Sequence, residues 1–141
     1  MEQKKSKKIL IIIADFYQEI SENLQEGALE KLQDEGFIYD LKSVPGTLEI
    51  PIVLRKSLNH YKGFIILTCL IKGETDHYQI VKDIAVKEIY KLAYSNNVAI
   101  GTGIITANNY EQALSRSKLS GENYGGRAAN ACIKLIKILN E

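Results

Sequence analysis

Four side chains stand out for the chemistry their surroundings would allow. Glu49 is the single carboxylate of "SVPGTLEIPIVL", a stretch that is otherwise largely apolar and holds both prolines of the chain. An acid there is either favoured by the positive end of a helix beginning at Pro51, or it accepts hydrogen bonds from ligand hydroxyl or N–H groups. In the second case the prolines fix its direction and the apolar surround strengthens its bonds. Phe16, in "ADFYQE", either seals the end of a strand or offers a stacking face to a flat heterocycle. His77, in "KGETDH", either caps or packs, or it exchanges protons with a bound substrate. Arg116, near the end of "NNYEQALSRS", is either a surface cation or a bidentate phosphate ligand. Just before His77, Gly73 and the backbone N–H groups around it precede a helix, which is a ready anion site. Glu74 opposes an anion there unless its carboxylate turns away. A ring, an acceptor, a base and an anion site together suit a small phosphorylated substrate beside a flat polar one.

These residues need elements to hold them. "KKILIIIA" is a short continuous apolar run, as expected of a strand covered on both faces. Ile20, Leu24, Ala28, Leu29 and Leu32 follow at helical spacing, with Ser21 as the N-cap and Gly36 just past the end. "FIYDLKSV" alternates polar and apolar residues and reads as an edge or half-covered strand. Pro51 suits the first turn of a helix reaching about Asn59. "GFIILTCLI" is a third strand, leading through "KGETDH" into an amphipathic helix. Its apolar stripe is Ile80, Val81, Ile84, Ala85, Ile89, Leu92 and Ala93, opposite Lys82, Asp83, Lys87 and Lys91. "NVAIGTGIIT" is a fourth strand, "NNYEQALSRS" begins another helix, and a last helix spans Arg127 to Leu139 after the glycine-rich "SGENYGG".

Strands alternating with helices predict a three-layer α/β/α sandwich around a parallel sheet of about four strands. Ligands of such folds bind outside the carboxyl ends of the strands. Phe16, Glu49 and His77 all fall in loops at that end, and "TANN" leads from the fourth strand into the helix that carries Arg116. His60, in "NHYKG", falls at the opposite end and reads as solvated. The last helix has an apolar surface wider than one sheet-facing stripe needs, which points to a homo-oligomer.

Other functions fail on their motifs. With 141 residues, 45% of them hydrophobic, the chain is one domain's length; a net charge of +1 argues against a nucleic-acid surface. The basic N-terminus, residues 1–8, reads as a flexible tail. The apolar run after it is too short for a signal peptide, and nothing approaches the roughly twenty apolar residues of a membrane span. Cys69 and Cys132 have no metal or redox spacing and read as buried thiols of a cytoplasmic protein. The turn after the first strand lacks G-x-G-x-x-G and the hydroxyl-rich loop of an FMN site, and no Walker A or zinc motif occurs.

In order and spacing, "ADFYQEI", "VPGTLEIP", "IKGETDHYQIV" and "GIITANNYEQALSRS" resemble the 6,7-dimethyl-8-ribityllumazine synthases of riboflavin biosynthesis, from about Ile9 to the C-terminus. The resemblance implies a flavodoxin-like fold and a condensation of 5-amino-6-ribitylaminouracil with 3,4-dihydroxy-2-butanone 4-phosphate. Phosphate and water would be released without a metal or organic cofactor. It implies that Phe16 stacks on the pyrimidine and that Thr47, Leu48 and Glu49 hold the ribityl chain. Leu70, Ile71 and Lys72 would present backbone groups to the uracil edge, while Gly73, Glu74 and Thr75 approach the phosphate. His77 would be the general acid-base, and Arg116 of a neighbouring subunit would bind the phosphate. Thr102 stands where members often carry an aromatic, at one wall of the ring pocket. Leu48 replaces a common phenylalanine, and Tyr124 a common lysine, with Lys118 or Arg127 as substitutes. Pentamers or paired pentamers are expected, since "KLSGENYGG" is longer than the corresponding link in shell-forming members. The Thr102 and Tyr124 changes keep open a relative that binds a lumazine or flavin without turnover.

Overall fold

A computed structural model describes residues 7–141. Strand β1 (Ile9–Ala14) is followed by helix α1 (Gln18–Asp34), β2 (Tyr39–Val44), a short 3-10 turn over Thr47–Glu49 and α2 (Ile50–Ser57). Then come β3 (Gly63–Ile71), α3 (Tyr78–Asn96), β4 (Ala99–Ala107), α4 (Tyr110–Ser117) and α5 (Tyr124–Leu139). The four strands form one parallel sheet in the order β2-β1-β3-β4. That is the flavodoxin-like order without its fifth strand.

The apolar runs explain the layering. Successive residues of β1 point to opposite faces, so Ile9, Ile11 and Ile13 join the apolar cluster under α1, α4 and α5, whereas Leu10, Ile12 and Ala14 join the one under α2 and α3. Every residue of β1 and β3 is buried. β2 is an edge strand, half-exposed, as its alternation predicts. Its Asp40 accepts hydrogen bonds from the Tyr61 hydroxyl at 2.7 Å and from Lys8 Nζ at 3.2 Å. Lys8 is therefore tied to the sheet at the end of the expected flexible tail; residues 1–6 of that tail lie outside the described residues.

Helix ends follow local chemistry with two corrections. α1 stops in a Schellman arrangement: Gly36, at φ 76°, donates to the Gln33 carbonyl and Phe37 to the Leu32 carbonyl. Ser21 is not its N-cap. Tyr17 holds that place, and the Ser21 hydroxyl is buried inside the helix, 3.4 Å from the Ala14 carbonyl it donates to. The last helix begins at Tyr124, not Arg127, because the Asn123 side chain caps it by accepting from Gly126 N–H. Gly125 and Gly126 are thus helical, and a Cβ on Gly125 would strike the Leu24 carbonyl of α1. Only part of the expected stripe of α3 is covered: Ala85, Ile89 and Ala93 are buried, but Ile80 and Ile84 are 57% and 51% exposed.

Candidate active site

The chain crosses from β1 to β2 on one side, then returns to place β3 on the other side of β1. A crevice opens where the direction reverses. Here it is a cavity of about 330 Å³ at the carboxyl ends of β1 and β3, near the lower end of the range for small-molecule sites. Phe16, Thr47, Leu48, Glu49, Leu70, Glu74 and Thr75 all line it, together with Ala14, Thr68, Cys69 and Asp76.

Each wall has a local cause. Pro45 and Gly46 end β2 and turn the backbone into the short 3-10 segment, so Thr47, Leu48 and Glu49 enter the cavity before Pro51 starts α2. A side chain on Gly46 would crowd the Glu49 carboxylate, at 3.0 Å from Oε1. The Thr47 and Thr68 hydroxyls meet at 2.7 Å beneath the surface and lock this segment onto β3. Phe16 stands 69% exposed over the opening, its ring edge-to-face with Tyr17 at 4.9 Å. Leu48 is 43% exposed on the other wall. Two apolar faces left open on a cavity suit a flat ring.

The floor is less reactive than its cysteine suggests. Burial, and then the nearby Glu74 carboxylate, push the Cys69 thiol up to about 12, so it remains protonated and serves as packing rather than as a nucleophile. The Glu74 carboxylate also raises the hydroxyls of Tyr17 and Tyr110, as a secondary effect behind their burial.

The loop after β3 corrects the sequence expectation in part. Leu70 lines the cavity, but Ile71 is fully buried and its carbonyl accepts from Glu74 and Thr75 N–H, at 3.1 and 3.2 Å. Lys72 N–H donates to the Ala107 carbonyl at 2.8 Å. The N–H groups of Glu74 and Thr75 are therefore spent on the turn itself and that of Lys72 on β4, which leaves the hydroxyl as the donor Thr75 can offer the cavity. Gly73 supports the turn at φ 87°, with open space where a side chain would be. His77 closes it as the N-terminal residue flanking α3, exposed, in a left-handed conformation at φ 54° and ψ 39°. It adjoins Asp76, which lines the cavity, but does not line it itself.

Arg116 and Thr102 stand apart from this chain's cavity. The Arg116 guanidinium donates to the Thr106 carbonyl from Nη1 and pairs with Glu122 at 3.4 Å from Nε, which holds a half-buried cation beside the end of β4. Thr102 lies midway along β4 on the α3 side, its hydroxyl 2.6 Å from that of Tyr90. His60 is exposed at the far end of the sheet. Thr68, Cys69, Asp76 and Val81 line the cavity without having been singled out; a hydroxyl in the otherwise apolar run "GFIILTCLI" was the one available signal for Thr68.

Comparison with known proteins agrees with this geometry. Residues 6–140 match the family model of 6,7-dimethyl-8-ribityllumazine synthase. Among curated relatives, the 6,7-dimethyl-8-ribityllumazine synthase of Afipia carboxidovorans is 40% identical over 138 residues, covering 93% of this chain and 85% of that protein. The one from Bartonella tribocorum is 39% identical over 140 residues, 97% of this chain and 93% of that protein. The one from Paramagnetospirillum magneticum is 37% identical over 143 residues, with 95% of each chain covered. A match over nearly the whole chain, with the cavity where the sheet topology requires a ligand, means that the chain belongs to the 6,7-dimethyl-8-ribityllumazine synthase family.

Proposed function

We propose that the crevice between β1 and β3 carries out the reaction of this family through the residues gathered there. The chain is a transferase of riboflavin biosynthesis that condenses 5-amino-6-ribitylaminouracil with 3,4-dihydroxy-2-butanone 4-phosphate, forming 6,7-dimethyl-8-ribityllumazine and releasing phosphate and water. The observation that carries the assignment of residues is the convergence of Phe16, Thr47, Leu48, Glu49, Leu70 and Thr75 on one cavity from three separate loops.

In this reading the pyrimidine stacks on Phe16, and the ribityl hydroxyls donate to Glu49 beside Thr47 and Leu48. A carboxylate acceptor makes stronger hydrogen bonds than a neutral one. The butanone phosphate lies towards Thr75, and Arg116 of an adjacent copy reaches its phosphate. The attacking amine forms an imine with the ketone carbonyl, losing water. A proton then leaves carbon as phosphate departs, and the second nitrogen closes the ring with loss of a further water. His77, at the rim next to Asp76, moves the protons. Holding two reactive partners in contact supplies most of the acceleration.

Arg116 and Thr102 lie outside the cavity of their own chain, which favours a ring of copies in which each completes its neighbour's site. The exposed Ile80 and Ile84 on α3 and Ile52 on α2 offer the apolar surface such a ring would cover. A pentamer or paired pentamers is the assembly proposed. Both cysteines are buried free thiols, the state a reducing compartment maintains, and the cytoplasm is the proposed location. No helix among the described residues is long and apolar enough to cross a membrane.

The test follows lumazine absorbance and phosphate release with both substrates present. The expected result is turnover well above the spontaneous condensation, cut at least tenfold in Arg116→Ala, as for a lost charge-assisted contact, and reduced also in His77→Ala. Tight binding of a ribityl heterocycle with no acceleration would instead identify a binding protein.

A further inference from the structure

Tyr17 holds the one buried side-chain nitrogen or oxygen among the described residues that lacks a hydrogen-bond partner. Its ring packs edge-to-face against Phe16 at 4.9 Å and Tyr110 at 6.3 Å, so it underlies the ring that faces the cavity. Its hydroxyl lies among Thr75, Glu74 and Cys69, all of which line the cavity and act on it. Thr75 is the hydrogen-bonding neighbour of that hydroxyl, near enough to oppose the rise in its pKa, but the two stop short of full hydrogen-bond geometry. A phenylalanine would pack as well and leave nothing unsatisfied, since a buried hydroxyl without a partner is costly to keep. The hydroxyl therefore needs a partner in some other state of the site.

The neighbouring loop identifies that state. Glu74 and Thr75 have already given their N–H groups to the Ile71 carbonyl, so the Thr75 hydroxyl is what this residue offers a ligand. A hydroxyl has one proton and two lone pairs. If it donates to an anion, its lone pair is ready for a second donor, and Tyr17 is the buried donor within reach. Chains of this kind polarise one another and strengthen each bond. Burial, ahead of the opposing effect of Thr75 and the reinforcing one of Glu74, raises the Tyr17 hydroxyl above its ordinary range, so the proton stays on oxygen as a donor.

We propose that Tyr17 is a positioning residue for the phosphate-bearing substrate: its buried hydroxyl donates to Thr75 Oγ1 when Thr75 donates to the phosphate, while its ring braces Phe16 against the flat substrate. Tyr17 thereby links the two half-sites without touching either ligand. The inference rests on the reading of Thr75 as a phosphate contact.

The experiment compares the full-length wild type with Tyr17→Phe, Thr75→Val and the double variant. Stabilisation by inorganic phosphate is read from melting curves, and KM is measured separately for the two substrates. Tyr17→Phe keeps the ring and removes only the hydroxyl. The expected result is phosphate affinity weakened about tenfold and KM for the butanone phosphate raised to match, the size of one lost hydrogen bond in a linked pair. KM for the uracil should not change, and Tyr17→Phe should add nothing in the Thr75→Val background. A Tyr17→Phe protein that melts higher but binds phosphate as the wild type does would make the hydroxyl merely structural and overturn the inference, provided Thr75→Val weakens binding. If Thr75→Val also leaves phosphate binding intact, the phosphate reading of the loop fails and the inference falls with it.

Discussion

His77 occupies a backbone conformation that residues with a Cβ adopt reluctantly. The turn from Gly73 to His77 leads from β3 into α3, whose first turns reach the cavity at Val81, and its last residue absorbs the change of direction. Replacing His77 by alanine or by glycine removes the same imidazole, but only glycine relieves the backbone. The His77→Gly protein should therefore be more stable than His77→Ala by about 1 kcal/mol in denaturant titrations, with both equally impaired in turnover. Equal stability of the two variants would show that the turn relaxes without a left-handed residue. At this scale Phe16, Glu49 and Glu74 were legible as an aromatic and acids in loops at the carboxyl end of the sheet, and Thr47, Leu48, Leu70 and Thr75 through the family resemblance, whereas His77 and Arg116 do not line the cavity. Thr68, Cys69 and Tyr17 were not legible. Each lies in or beside an apolar run, where periodicity reports burial but not that the buried atom also forms the floor or brace of a cavity.

At the scale of elements, α5 lies unusually close to the sheet. A Cβ on Gly101 of β4 would strike the Ala128 carbonyl, and one on Gly63 of β3 would come within 2.8 Å of Cys132 Sγ and Ile136. Since a helix backbone cannot yield locally, Gly101→Ala should push α5 off β4 and cost about 3 kcal/mol, seen as a lower unfolding midpoint. Gly36→Ala is the control: it has open space but φ 76°, and should cost about 1 kcal/mol. A Gly101→Ala loss no larger than the control would mean that the helix slides freely. β3 was read to the residue, since "GFIILTCLI" is apolar on both faces and ends abruptly, whereas β1, β2 and β4 each begin two residues later than their runs suggested. The start of α5 was missed for a related reason. Gly125 and Gly126 look like a link in a sequence, but here the missing side chain of Gly125 lets the helix begin against α1, and that of Gly126 leaves room for the Asn123 cap.

For the whole molecule, the sheet accounts for the inner faces of the helices but not for Ile52, Ile80, Ile84 and Tyr94, which are 70%, 57%, 51% and 77% exposed. These exposed apolar side chains of α2 and α3 are the surface the proposed ring would cover. Ile84→Lys should break the proposed ring, giving a sedimentation shift towards monomer. Activity should fall with it if Arg116 must come from a neighbour, whereas an unchanged sedimentation profile would place the interface elsewhere. The expected α3 stripe was half right because periodicity identifies an apolar face but not how much of it its own chain covers: Ala85, Ile89 and Ala93 are buried, Ile80 and Ile84 are not. The packing of α5 on β4, β3 and α1 also has a consequence for biosynthesis. α5 is the latest of these elements to leave the ribosome, so for on the order of ten seconds of synthesis the apolar side of α1 and the sheet beneath it have no lid. During that interval the nascent chain carries an apolar surface prone to association with its own kind.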